Sequence, residues 1–217
     1  NGYVYGITRS KSDLKKFKNI KNCRVFLGDV KNKSIIKKIL KQSNMDKKVI
    51  NGLVNNAGER QRTKFDKINK KKLTALFDTN FFSIFEYMQI YSKYLRQKKI
   101  SGSIVNIGSI VGNNGFSELS GYASTKTALI GLTKSFAVEM AKNNIRANLV
   151  SPGFIKTSYF KKFRKKSKLY NWTLSRIPQK RWGRPEEVTN LICFLLSDLS
   201  SYINGTNINV DGGWTGS

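Results

Sequence analysis

The chain alternates short apolar runs with longer stretches of helical periodicity, and this alternation restricts its fold more than any other feature. Apolar, β-prone runs cover Tyr3–Ile7, Cys23–Leu27, Ile50–Val54, Ser103–Ile107, Arg146–Val150 and Asn207–Val210. Helical patterns fill Lys33–Gln42, Lys70–Gln97, Tyr122–Asn143 and Pro185–Leu196. The last begins with Pro185 in its first turn and Glu186-Glu187 behind it, which suits the positive end of a helix dipole. Strands separated by helices at this spacing form a doubly wound α/β structure, a parallel sheet with helices on both faces. Such sheets hold ligands beyond the carboxyl ends of their strands. No repeat or linker divides residues 1–217, so one domain is expected. Residues 158–183 break the rhythm. They are basic and rich in aromatics (Tyr159, Phe160, Phe163, Tyr170, Trp172, Trp182) and too long for an ordinary connection, which makes them a candidate lid.

Histidine is absent. That removes the commonest general base and metal ligand, so no metal site is expected, and any proton chemistry falls to Tyr, Lys, Asp, Glu or Cys. Cys23 and Cys193 read as buried free thiols of a reducing cytoplasm. No apolar run reaches the ~18 residues of a membrane helix, and the N-terminal residues lack the pattern of a signal peptide. A cytoplasmic protein without membrane association is expected. The 40 Lys and Arg against 13 Asp and Glu give a net charge of +27. Compositional drift toward Lys, Asn and Ile accounts for it, since most lysines fall on solvated helix faces such as Lys70-Lys71-Lys72. Nucleic-acid binding is not the expected role, although a polyanion-binding protein remains an alternative.

Tyr122 and Lys126 stand four residues apart at the head of a helix, on one face. An ammonium near a phenol favours the phenolate, and a tyrosine tuned this way can give a proton to a carbonyl oxygen and take it back. The spacing alone also arises by chance on solvated helices. The context sharpens it. Ser109 follows the strand Ser103–Ile107, where a hydroxyl meets a ligand. Asn55-Asn56-Ala57-Gly58 ends another strand with small residues, Asn80 lies in the next helix, and Ser151-Pro152-Gly153-Phe154-Ile155-Lys156-Thr157 follows a third strand.

These motifs, in this order and closing on Asn204-Gly205-Thr206 and Val210-Asp211-Gly212-Gly213, resemble the short-chain dehydrogenase/reductase family, in its β-ketoacyl-carrier-protein reductase-like branch. The resemblance implies a Rossmann-like fold and a nicotinamide cofactor. It implies that Tyr122 is the acid/base, that Lys126 lowers its pKa and holds the nicotinamide ribose, and that Ser109 binds the substrate oxygen. Asn80 would support a water that relays protons to Lys126. Asn56, Ala57 and Gly58 would flank the adenosine side, Asp29 and Val30 the adenine, and Pro152, Gly153, Ile155 and Thr157 the nicotinamide and nearby phosphates. Asn55 and Asn80 can alternatively brace the sheet.

The end of the family's second strand, here Gly6-Ile7-Thr8-Arg9-Ser10-Lys11, meets the adenosine ribose. An acidic residue there would favour NAD. Instead Arg9 can fork onto a 2′-phosphate and Ser10 can donate a hydrogen bond, so NADP(H) is expected over NAD(H). The family's first strand, Gly-rich turn and first helix, about 20–25 residues, have no counterpart in this sequence. A sheet with a gap or new edges is therefore expected, with weak cofactor binding and low stability for the chain alone.

The expected substrate is a small carbonyl or alcohol, anionic or carrier-bound if the basic cluster of the lid (Lys161, Lys162, Arg164, Lys165, Lys166, Lys168) or Glu59-Arg60-Gln61-Arg62 acts on it. Hydride transfer between NADP(H) and a ketone or secondary alcohol is the leading expectation. A catalytically silent binding or assembly subunit of the same fold is the other alternative. Homodimers or homotetramers are expected, through the Asn80 and Tyr122 helices and the C-terminal segment, with Phe136, Val138 and 205–214 buried between subunits.

Overall fold

The computed structural model describes residues 2–158 and 160–217, apart from the Lys162 side chain; Tyr159 of the candidate lid lies outside the described residues. β1 (Val4–Thr8) and β2 (Cys23–Leu27) pair in parallel, with Val4 opposite Cys23. Between them runs α1 (Lys11–Phe17), which the sequence reading does not anticipate. Ser10 caps it by accepting from the Asp13 amide at 3.2 Å. The helix buries no residue, so it carries no apolar stripe to betray it.

The second sheet has the order β3-β4-β5-β6, all parallel: β3 (Gly52–Asn55), β4 (Gly102–Ile107), β5 (Ile145–Pro152) and β6 (Asn207–Val210). Its central strands are buried on both faces, as expected of a parallel sheet clad in helices. On one face Ile104, Ala147 and Leu149 pack against α2 (Ser34–Met45), α4 (Ser83–Lys98) and α5 (Ser120–Met140) through Leu40, Met88, Tyr91, Leu95 and Leu129. On the other, Val105 and Val150 meet Val188 and Leu195 of α8 (Pro185–Leu196). Glu187 accepts from the Arg184 amide at 2.7 Å and fixes the start of α8.

Among the described residues no hydrogen bond joins β1 or β2 to β3, and the strands form two sheets. The interruption matches the gap expected from the sequence. Apolar contact bridges it: Ile7 and Val30 pack onto the cluster that holds Ile36, Leu40 and Ile84.

Three expectations change. The single helix expected over 70–97 is α3 (Lys70–Phe77) and α4 joined by a π turn, Asp78–Phe82. Residues 158–183 hold α6 (Phe160–Arg164) and α7 (Ser167–Arg176), and their aromatics are partly core: Phe163 and Trp182 are buried against Ile110, Leu119 and Trp214. The Trp182 indole also donates to Thr173 at 2.8 Å, which satisfies the one polar atom of a buried ring. Cys193 is exposed and Cys23 half-buried.

Candidate active site

β4 ends at Ile107, and Ser109 follows in extended conformation, accepting from the Val111 amide at 3.2 Å and so capping a short 3₁₀ turn. Gly112 of that turn lies against the backbone of Lys126; a Cβ there would come within 3.0 Å of the Lys126 carbonyl carbon. Strand end and helix head are thus held together. Tyr122 and Lys126 both sit on the first turns of α5. Lys126 is only 4% exposed, and its ammonium donates to the Ile107 carbonyl at 2.7 Å and lies 5.8 Å from the centre of the Tyr122 ring.

Burial pushes the Tyr122 phenol up, while hydrogen bonding with Ser109 and the charge of Arg60 pull it down. Lys126 is itself penalised by burial, its pKa brought down to about 8. A buried cation loses hydration, and the Ile107 carbonyl replaces only part of it.

Asn80 is fully buried in the π turn. Its Oδ1 accepts from the Glu59 amide at 2.7 Å, and its Nδ2 donates to the Glu59 carbonyl at 2.8 Å and to Thr125 Oγ1 at 3.1 Å. Asn80 therefore staples the Asn56–Glu59 turn to α5, next to Lys126. A Cβ on Gly58 would stand 3.4 Å from Asn80 Oδ1 and 3.5 Å from Lys126 Nζ; glycine leaves the backbone beside the lysine uncovered. Asn55, behind it, donates to Asn106 at 2.8 Å and braces β3 on β4.

A cavity of about 670 Å³ opens above these groups. Ser109, Tyr122, Asn56, Pro152, Gly153, Ile155 and Thr157 line it. Lys126 and Asn80 lie behind that wall. Gly153 packs tightly: a Cβ would fall 2.8 Å from Asp211 Cβ. The sequence reading did not single out Phe116, Val188 and Ile192 of this wall, whereas Phe163 and Trp182 of the expected lid do line it. The missed residues lie on separate segments, and their apolar character reads locally as core. The end of the candidate lid is pinned to this wall, because Gly183 donates to the Phe154 carbonyl at 2.9 Å and its own carbonyl accepts from Lys156 at 2.8 Å.

Of the expected adenosine residues, Asn56 lines the cavity, whereas Arg9, Ser10, Asp29 and Val30 lie apart from its wall, past the ends of β1 and β2. Arg9 pairs with Glu59 at 2.9 Å and stands 3.9 Å from Asp29. Asp29 also accepts from the Lys31 amide at 2.9 Å, and Val30 is half-buried. Ser10 is engaged as the cap of α1. Ala57 is exposed on the turn before Glu59. Among the described residues no group of metal ligands occurs, and no helix is long and apolar enough to cross a membrane.

Residues 3–215 match the family model described as enoyl-(acyl carrier protein) reductase. The chain belongs to the short-chain dehydrogenase/reductase family. Within this family, 3-oxoacyl-(acyl-carrier-protein) reductase of Thermotoga maritima is 41% identical over 164 residues, 76% of this chain and 65% of that protein. The chain thus spans slightly under two thirds of that relative's length. The enzyme of the same name from Buchnera aphidicola subsp. Schizaphis graminum is 38% identical over 193 residues, 89% of this chain and 78% of the relative. Among solved short-chain dehydrogenase/reductase structures, 4-hydroxyisoleucine dehydrogenase complexed with NADH superposes with a TM-score of 0.91 at 30% identity, covering 99% of this chain and 89% of that one. Gluconate 5-dehydrogenase from Burkholderia cenocepacia, in complex with NADP and tartrate, does so with a TM-score of 0.89 at 26% identity, covering 98% and 85%.

Proposed function

We propose that the chain is an oxidoreductase that moves a hydride between NADP(H) and a ketone or secondary alcohol, with Tyr122 as general acid/base. The observation that carries this reading is the junction of Ser109, Tyr122 and the buried Lys126 at the end of β4. In the reducing direction, Ser109 and Tyr122 both donate to the carbonyl oxygen, and the Tyr122 proton passes to it as the carbonyl carbon gains a hydride. The phenolate left behind lies near the Lys126 ammonium, which limits the cost of that negative charge. Oxidation of the alcohol reverses each step.

The nicotinamide cofactor supplies or accepts the hydride. The residues present fit it at two places. Pro152, Gly153, Ile155 and Thr157 would take the nicotinamide and its phosphate, with Lys126 at the ribose. Arg9, Ser10, Asp29, Val30, Asn56, Ala57 and Gly58 would take the adenosine. Preference for NADP(H) is supported by Arg9, for which a 2′-phosphate would compete with the Glu59 carboxylate. Exposed Phe82, Phe85 and Val138 on the π turn, α4 and α5 support assembly as a homodimer or homotetramer. The free thiols support a cytoplasmic location.

The deciding experiment is a panel of ketones and alcohols with NADPH and NADH, with Tyr122→Phe as the control. That variant keeps the ring and removes the proton; kcat is expected to fall by about 10²–10⁴. Undiminished turnover in Tyr122→Phe rejects the mechanism.

A further inference from the structure

Arg60 and Arg62 line the cavity but transfer no proton in the chemistry above. We propose that Arg60 recognises an anionic group, a carboxylate or phosphate monoester, carried by the substrate away from its reacting carbonyl. The inference rests on the oxidoreductase reading and gives it a substrate class: small keto acids or phosphorylated ketones.

The cavity's charge is one-sided. Arg60 and Arg62 line it, and among the described residues no Asp, Glu or Lys does. Most of the remaining wall is apolar, including Ile110, Phe116, Phe154 and Trp182. A cation at the rim of such a wall attracts an anion more strongly than one surrounded by water.

The segment bearing Arg60 is also fixed on both sides. Asn80 holds Glu59 through its amide and its carbonyl. Thr63 donates to the Glu118 carbonyl at 2.9 Å, and Arg62 pairs with the Glu118 carboxylate at 3.3 Å. Arg62 thereby anchors the segment to the residues that precede α5. Arg60, between two anchored neighbours, is kept near the reacting phenol, and its field reaches Tyr122. With the backbone on both sides already fixed, binding a planar carboxylate orders only the Arg60 side chain. The anion and the carbonyl oxygen would then occupy two ends of one cavity, and the apolar wall would take the carbon chain between them.

The test uses matched probes: acetoacetate, levulinate and 5-oxohexanoate, each beside its methyl ester, and dihydroxyacetone phosphate beside dihydroxyacetone. Binding is measured by calorimetry without cofactor, and kcat/KM with NADPH where turnover occurs. At least one anion should bind about 10–100-fold more tightly than its neutral partner. That ratio should collapse toward one in Arg60→Ala and Arg60→Gln, return in part in Arg60→Lys, and persist in Lys161→Ala. The best probe tells carboxylate from phosphate. An anion-to-neutral ratio that is the same in Arg60→Ala as in the unaltered chain, or no anion preference at all, overturns the subsite. Arg60-dependent anion binding without turnover of any carbonyl leaves the subsite standing and rejects the oxidoreductase reading instead.

Discussion

The Lys126 ammonium donates a 2.7 Å hydrogen bond to the carbonyl of Ile107, the last residue of β4. One contact therefore locks α5 to the strand that presents Ser109. It also places a charge where burial opposes it, and that conflict can be measured. Lys126 has a pKa of about 8 when folded and an ordinary value near 10.5 when unfolded. Between those values the unfolded chain binds more protons, so stability rises with pH across that window. Below about pH 8 the penalty of the buried charge is fully present, at most about 3 kcal/mol. Denaturation midpoints of the parent and Lys126→Met, followed from pH 7 to pH 10.5, should converge or cross as the parent gains. Parallel curves would falsify the assignment.

Ser109 opposes the rise that burial imposes on the Tyr122 phenol. Ser109→Ala should therefore move the phenol's pKa further up and shift the alkaline limb of the kcat profile to higher pH. Loss of a donor to the reacting oxygen should also lower kcat by about 10²–10³. A slower variant with an unshifted profile would confine Ser109 to substrate binding.

Asn80 meets both backbone groups of Glu59. Asn80→Ala leaves those groups unpaired near a buried site, at a cost of about 1–3 kcal/mol. Urea denaturation should report that loss. Faster hydrogen exchange at the Glu59 amide should accompany it, and an unchanged exchange rate there would remove Asn80 as the staple.

Gly153 has no room for a side chain, since a Cβ would meet both Cβ and Cα of Asp211 at 2.8 and 2.9 Å. The obstacle is backbone, so relief requires β5 or the C-terminal turn to move. Gly153→Ala should cost about 1–3 kcal/mol, read as a lower melting temperature. A stable variant with intact activity would show that the turn yields easily.

Arg9 pairs with Glu59 across the ends of β1 and β3. Arg9→Asp places a carboxylate where a 2′-phosphate would sit. Affinity for NADPH over NADH should fall by about tenfold to a hundredfold. Equal NADPH affinity in Arg9→Asp would reject NADP(H) preference through this residue.

Local pattern recovers the strands because apolar, β-branched residues in short runs have few other uses. It places β2 and β6 to the residue and the start of α8 likewise. It misses α1, which buries nothing, and the π turn at Asp78–Phe82, whose residues keep a helical spacing while the backbone gains one residue. At the site, Ser109, Tyr122 and Lys126 are legible because their separations along the chain suit a strand end and a helix head. Their electrostatics are not.

The sequence by itself determined the alternating α/β architecture and brought Tyr122, Lys126 and Ser109 forward as candidates. Only the tertiary structure decided which groups tune Tyr122, that Asn80 grips Glu59, and that Phe116, Val188 and Ile192 share one cavity with Ser109 and Tyr122. Pattern and motif depend on neighbours a few residues apart. Burial, hydrogen-bond partners and fields depend on segments brought together from positions 58–62, 80, 107–126 and 152–192, and these meet only when the sheet and its helices have packed.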